Sequence, residues 1–162
     1  MALELVRADY ARAAHAEAIV ALLDAYARDL AGGGEPLPQA VRAQLVAGLA
    51  SQQGAFSLLA FVDGKPVGLA NCFFGYSTFA AKPLVNLHDI VVLPESRGQG
   101  VAKALLAEVE MIAAAAGACK VTLEVLSGNG PAKALYASLG YGDYALDPAM
   151  GTAQFWQKRL AA

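Results

Sequence analysis

The sequence predicts a single α/β domain, and three observations carry that prediction. Apolar segments switch between helical and strand periodicity. An Asp63-Gly64 pair joins two apolar runs. A glycine-rich turn links a buried strand to an amphipathic helix. The 162 residues suit one hydrophobic core, so the domain is expected to span 1–162. Ala2 to Arg7 alternates as a first strand would. Ala11 to Leu30 places Ile19, Leu22, Leu23 and Tyr26 on one helical face, and Gly32-Gly33-Gly34 breaks the helix. After Pro36 and Pro38 a second helix is expected from Gln39 to Ala50. Phe56–Val62 and Val67–Phe74 read as a hairpin around Asp63-Gly64, because that pair tolerates the left-handed backbone of a tight turn. Val85 to Leu93 is a further strand, closed by Pro94. Gly98 to Ala116 is a helix with Val101, Leu105, Val109 and Ile112 on one face. Cys119–Leu126 alternates as a strand, Pro131–Leu139 is a short helix closed by Gly140, and Tyr141 to Leu160 fits two last strands around Asp147-Pro148. The order is β-α-α-β-β-β-α-β-α-β-β.

Composition narrows the function classes. Hydrophobic residues make up 57% and charged residues 16%, which fits a soluble enzyme rather than a disordered or fibrous chain. A net charge of -2 with no basic cluster argues against nucleic acid. No segment is apolar over the length a membrane span needs, and Met1 to Ala14 has no signal core, so a cytoplasmic location is expected. Cys72 and Cys119 are expected as free, buried thiols. Neither they nor His15 and His88 have ligand spacing, so no metal is expected.

The most informative segment is Ile90-Val91-Val92-Leu93-Pro94-Glu95-Ser96-Arg97-Gly98-Gln99-Gly100-Val101-Ala102-Lys103. A strand ends there and a helix begins. The first amides of a helix have no partners within it, and the dipole makes that end positive. Small residues let a phosphate approach the backbone closely. Two familiar phosphate binders are excluded. Lys103 stands where the dinucleotide fingerprint needs a small third residue, and no Gly-Lys-Ser/Thr triplet occurs.

Arg97-Gly98-Gln99-Gly100-Val101-Ala102 matches the (Gln/Arg)-x-x-Gly-x-(Gly/Ala) signature of the GNAT superfamily of N-acetyltransferases. Downstream, Asn129-Gly130-Pro131-Ala132-Lys133-Ala134-Leu135-Tyr136 and Leu139-Gly140-Tyr141 resemble that family's second block. The resemblance is firm from Phe56 to Tyr141 and general before that. It implies a mixed twisted sheet of six to seven strands with about four helices. Two neighbouring parallel strands, Val85–Leu93 and Cys119–Leu126, would splay apart to admit acetyl-CoA.

The resemblance also implies roles. The peptide groups of Ile90, Val91 and Val92 would pair with the pantetheine arm, with an amide near Val91 facing the oxyanion. Arg97, Gly98, Gln99, Gly100, Val101, Ala102 and Lys103 would hold the pyrophosphate, and Asn129 would touch the arm or cap its helix. Tyr136 is the candidate acid for the leaving thiolate, or else a core aromatic. His88 is the candidate base, since neutral imidazole accepts a proton near pH 7, or else a histidine bonded within the sheet. Asp89 either holds a cationic amine or is paired structurally. The implied activity is acetyl-CoA-dependent transfer to a primary amine of a small molecule, by direct attack in a ternary complex. A protein or peptide acceptor and a non-catalytic acyl-CoA-binding module are the alternatives. Asp24, Asp29 and Glu35 could attract a cationic acceptor, and Phe73, Phe74, Tyr76 and Phe79 could wall its pocket. A homodimer is left open.

Overall fold

The computed structural model describes residues 2–161. They fall into two compact units, Met1–Leu123 and Glu124–Ala162. The first unit holds strands β1 (Leu3–Arg7), β2 (Ala55–Val62), β3 (Lys65–Ser77), β4 (Lys82–Val92) and β5 (Val121–Leu123), with helices α1 (Ala13–Arg28), α2 (Gln39–Ser51) and α3 (Val101–Ala115). Its sheet runs β1-β2-β3-β4-β5 in space, antiparallel except for the parallel β4–β5 pair. The β2–β3 hairpin turns through Asp63 and Gly64 at φ 49° and 78°, the left-handed pair that matches strand twist.

Alternation along the strands divides the sheet into two faces. On one face Leu59, Leu69 and Val91 form a cross-strand row beneath Ile19 and Leu22 of α1 and Leu49 of α2. Fully burying such side chains stabilises by about 1.5–3 kcal/mol each. On the other face Val101 and Leu105 of α3 close on β3. A Cβ at Gly68 would meet Val101 Cγ1 at 3.1 Å and Leu105 Cδ1 at 3.2 Å, so the missing side chain sets how near the helix lies.

The second unit contains α4 (Gly130–Ser138) and a 3-10 turn, Pro148–Met150. Here the sequence reading needs correction. The sheet has five strands rather than six to seven. The two strands expected over Tyr141 to Leu160 reduce to one isolated bridge, Ala145 to Thr152. Pro148 has no N–H to donate to a ladder, and Gly151 adopts φ 77°. β5 is also shorter than Cys119–Leu126, because pairing with β4 stops at Leu123. Cys72 is buried as expected, but Cys119, beside the edge strand, is exposed. Among the described residues no helix is long and apolar enough to cross a membrane.

Candidate active site

β4 supplies five of the candidate residues, His88 to Val92. It pairs with β3 along its length, but with β5 only over Val85–Leu87. From His88 to Val92 its strand partner is β3 alone, so no strand pairs the other side of that backbone. The β3–β4 register also shifts between Asn71 and Cys72: Leu87 faces Cys72 and Asp89 faces Asn71, leaving His88 without a partner. Such a bulge re-aims side chains. His88 stands edge-on to Phe73, with ring centroids 5.4 Å apart, and is exposed. Phe73 packs against the cluster beneath α1, so the bulge turns His88 toward the face that Asp89 also occupies. Strict alternation would have sent these neighbours to opposite faces.

Asp89 is half-buried. Its Oδ2 accepts a hydrogen bond from Asn71 Nδ2 at 3.1 Å. Asn71 Oδ1 accepts in turn from Ser57 Oγ at 2.6 Å, and Ser57 Oγ lies 2.9 Å from the Tyr10 hydroxyl. The field of Asp89 is felt nearby. Burial pushes the Tyr26 phenol up, and the Asp89 and Asp29 carboxylates add to the shift. Burial also raises the Cys72 thiol to about 12, with Asp89 again contributing. Arg28 pairs with Asp24 and Arg97 with Asp29, so neither of these cations answers Asp89.

The turn before α3 is built for close approach. Gly98 and Gly100 adopt φ 73° and 82°, and a Cβ at either would meet nothing within 4 Å. The amides of Gly100, Val101, Ala102 and Lys103 open the helix and have no partners within it. Arg97 has another task. Its Nε donates to Val92 O at 3.0 Å and its guanidinium pairs with Asp29 Oδ2 at 2.9 Å, which ties the turn to β4 and to the end of α1. Arg97 holds the Asp29 carboxyl below the usual range. Gln99 Nε2 donates to Glu95 O at 3.2 Å. What the turn offers an anion is therefore mainly backbone.

Residues 18–141 match the family described as Acetyltransferase (GNAT) family. The chain belongs to that family. It is 38% identical over 77 residues to a thialysine N-epsilon-acetyltransferase of Bos taurus, covering 48% of this chain and 45% of that enzyme. It thus spans about half the length of the curated relatives it matches. In fold it is similar to a ribosomal-protein-alanine N-acetyltransferase from Brucella melitensis, with TM-score 0.73 and 20% identity over 99% of both chains. It is also similar to the aminoglycoside N-acetyltransferase AAC(6')-Iy in complex with CoA, with TM-score 0.75 and 22% identity over 98% of this chain and 96% of that one.

Within this GNAT chain the predicted residues group as follows. His88, Asp89, Ile90, Val91 and Val92 share the end of β4 that β5 does not pair, and Arg97 to Lys103 form the turn into α3. Asn129 and Tyr136 belong to the second unit. Asn129 caps α4, its Oδ1 accepting from Ala132 N at 3.3 Å, and Tyr136 is buried with its ring 6.1 Å from that of Tyr141. The acidic residues near α1 are otherwise engaged. Asp24 accepts from Arg28 and from Leu37 N, which lowers its carboxyl, and Asp29 is held by Arg97. The aromatic set divides: Phe73 meets His88, Phe74 meets Phe56 at 5.4 Å, and Tyr76 and Phe79 are exposed. His15 is structural, its Nδ1 accepting from Asp9 N at 3.0 Å. Asn71, Ser57 and Tyr10 escaped the sequence reading. Their signal was there: Ser57 and Asn71 are single polar residues inside the apolar strands FSLLAFV and VGLANCFF.

Proposed function

We propose that this chain is an acetyl-CoA-dependent N-acetyltransferase of small cationic amines, acting as one domain over residues 1–162 by direct attack in a ternary complex. One observation carries the reading: Asp89, a carboxylate answered by neither ion pair, stands beside His88 where β4 loses its second strand partner. The two relatives named for thialysine and aminoglycoside acetylation support a small amine acceptor.

The groups present suit the co-substrate. The side of β4 that no strand pairs, from His88 to Val92, suits an extended arm that pairs with peptide groups, here those of Ile90, Val91 and Val92. The amides from Gly98 to Lys103, with open space at both glycines, suit a pyrophosphate. Arg97 holds this turn in shape, and Asn129 would touch the arm. When bound, acetyl-CoA supplies the acyl thioester that the amine attacks.

The chain's own residues do the rest. Asp89 receives the incoming ammonium and fixes its nitrogen, which lowers the entropic part of the barrier. His88 takes the proton that the ammonium must lose before its lone pair can attack. An amide near Val91 donates to the oxygen that gains charge. Tyr136 gives its phenolic proton to the departing sulfur, a role supported by its seven-residue offset from Asn129.

The test is thiol release from acetyl-CoA against thialysine, spermidine, neamine and a short peptide. Release with one of the small amines, falling about 100-fold in kcat for His88→Gln while acetyl-CoA still binds, is the expected result. Release with the peptide alone would move the acceptor to protein. Silence with acetyl-CoA bound would make the chain a non-catalytic acyl-CoA binder.

A further inference from the structure

Asp89 is the end of a row. Ser57 faces Asn71 across β2–β3, and Asn71 faces Asp89 across β3–β4. The row next to it on the same face is Leu59, Leu69 and Val91, all apolar and buried. Ser57 is 0% exposed and Asn71 2%, so two polar side chains have been set inside the sheet where apolar ones would pack as well.

The direction of every bond is fixed. Asn71 Oδ1 can only accept, so the single Ser57 proton points to it, and the Tyr10 hydroxyl must then donate to Ser57. Asn71 Nδ2 is left to donate to Asp89. Turning the amide over would put two acceptors 3.1 Å apart at Asp89. The bonds therefore run Tyr10 to Ser57 to Asn71 to Asp89, and every donor points toward the carboxylate. The row is not a proton wire, because the amide accepts at oxygen and donates at nitrogen and passes no proton between them. It is a fixed dipole array that holds one oxygen of Asp89 and leaves Oδ1 for a ligand.

We infer that Asn71, set by Ser57 and Tyr10, is a positioning residue that aims the Asp89 carboxylate at the ammonium of the acceptor. This rests on the reading of Asp89 given above. The array sets acceptor affinity and leaves acetyl-CoA binding alone. Bonds to a charged group are strong enough that losing one costs about tenfold in affinity.

The experiment compares wild type with Asn71→Leu, Ser57→Ala/Asn71→Leu, Tyr10→Phe and Asp89→Asn. The readouts are KM and kcat for thialysine, spermidine and neamine in thiol release, and the dissociation constant of each amine from the CoA-bound protein by calorimetry, which needs no turnover. For Asn71→Leu the acceptor KM and dissociation constant are expected to rise about tenfold, with a smaller rise for Tyr10→Phe and no change in the KM for acetyl-CoA. The double variant removes both partners of the innermost bond and leaves no buried Ser57 hydroxyl without its acceptor, so its melting point should lie above that of Asn71→Leu while its acceptor affinity stays low. That separates aiming from folding. If Asp89→Asn weakens the amine but folded Asn71→Leu and the double variant do not, the row is only structural and the inference falls. If Asp89→Asn changes nothing, or wild type binds none of the amines, the reading of Asp89 itself falls.

Discussion

Burial holds the Cys72 thiol at about 12, against 9.0 for an ordinary thiol, and the Asp89 carboxylate adds to the shift. The folded chain keeps a proton that the unfolded chain releases, so this contribution is whole below pH 9 and is lost as pH rises toward 12. The slope is at most about 1.4 kcal/mol per pH unit. In denaturant melts between pH 8 and 11 the slope should be shallower for Cys72→Ala than for wild type, the remainder coming from groups such as the Tyr26 phenol, which burial also raises. Iodoacetamide should modify exposed Cys119 in the native protein and reach Cys72 only after unfolding. At this scale the sequence singled out candidate side chains, His88 and Asp89 among them. It did not show their partners, because Asn71 lies 18 positions from Asp89 and 14 from Ser57, and the three line up only through the register.

Two elements decide the geometry of the site. One is the bulge in β4, which turns His88 and Asp89 to one face. The other is the turn into α3, where Gly100 caps the helix in the left-handed region. A Cβ at Gly100 meets nothing, so Gly100→Ala should fail through backbone strain alone, at about 1–2 kcal/mol. The expected result is a lower melting point together with weaker acetyl-CoA binding by calorimetry, and unchanged acceptor specificity. Helix and hairpin positions were legible because periodicity and an Asp-Gly turn are local signals. The bulge was not, since an extra residue in one strand is defined only against its neighbour.

For the molecule, the first unit is held by a sheet covered on both faces, with the row of Leu59, Leu69 and Val91 under α1 and α2. Leu69 is 0% exposed in that row. Leu69→Ala should cost about 2–5 kcal/mol in denaturant melts. A smaller loss would mean that α1 settles into the cavity. The second unit is leaner, with Leu146, Met150, Phe155, Trp156 and Leu160 exposed. The tail strands expected there failed because alternation over a few residues needs a partner strand to become a ladder.

The sequence by itself determined the family, the helices, the hairpin and the glycine-rich turn into α3. Each depends on residues close in the chain, where spacing alone sets which side chains share a face and which amides are left over. Only the tertiary structure decided where β5 lets go of β4, that His88 and Asp89 face the same way, and that Tyr10, Ser57 and Asn71 line up behind the carboxylate. Those are cross-strand facts: a register shift of one residue changes every pairing beyond it, and nothing along a single strand records which shift the fold will take.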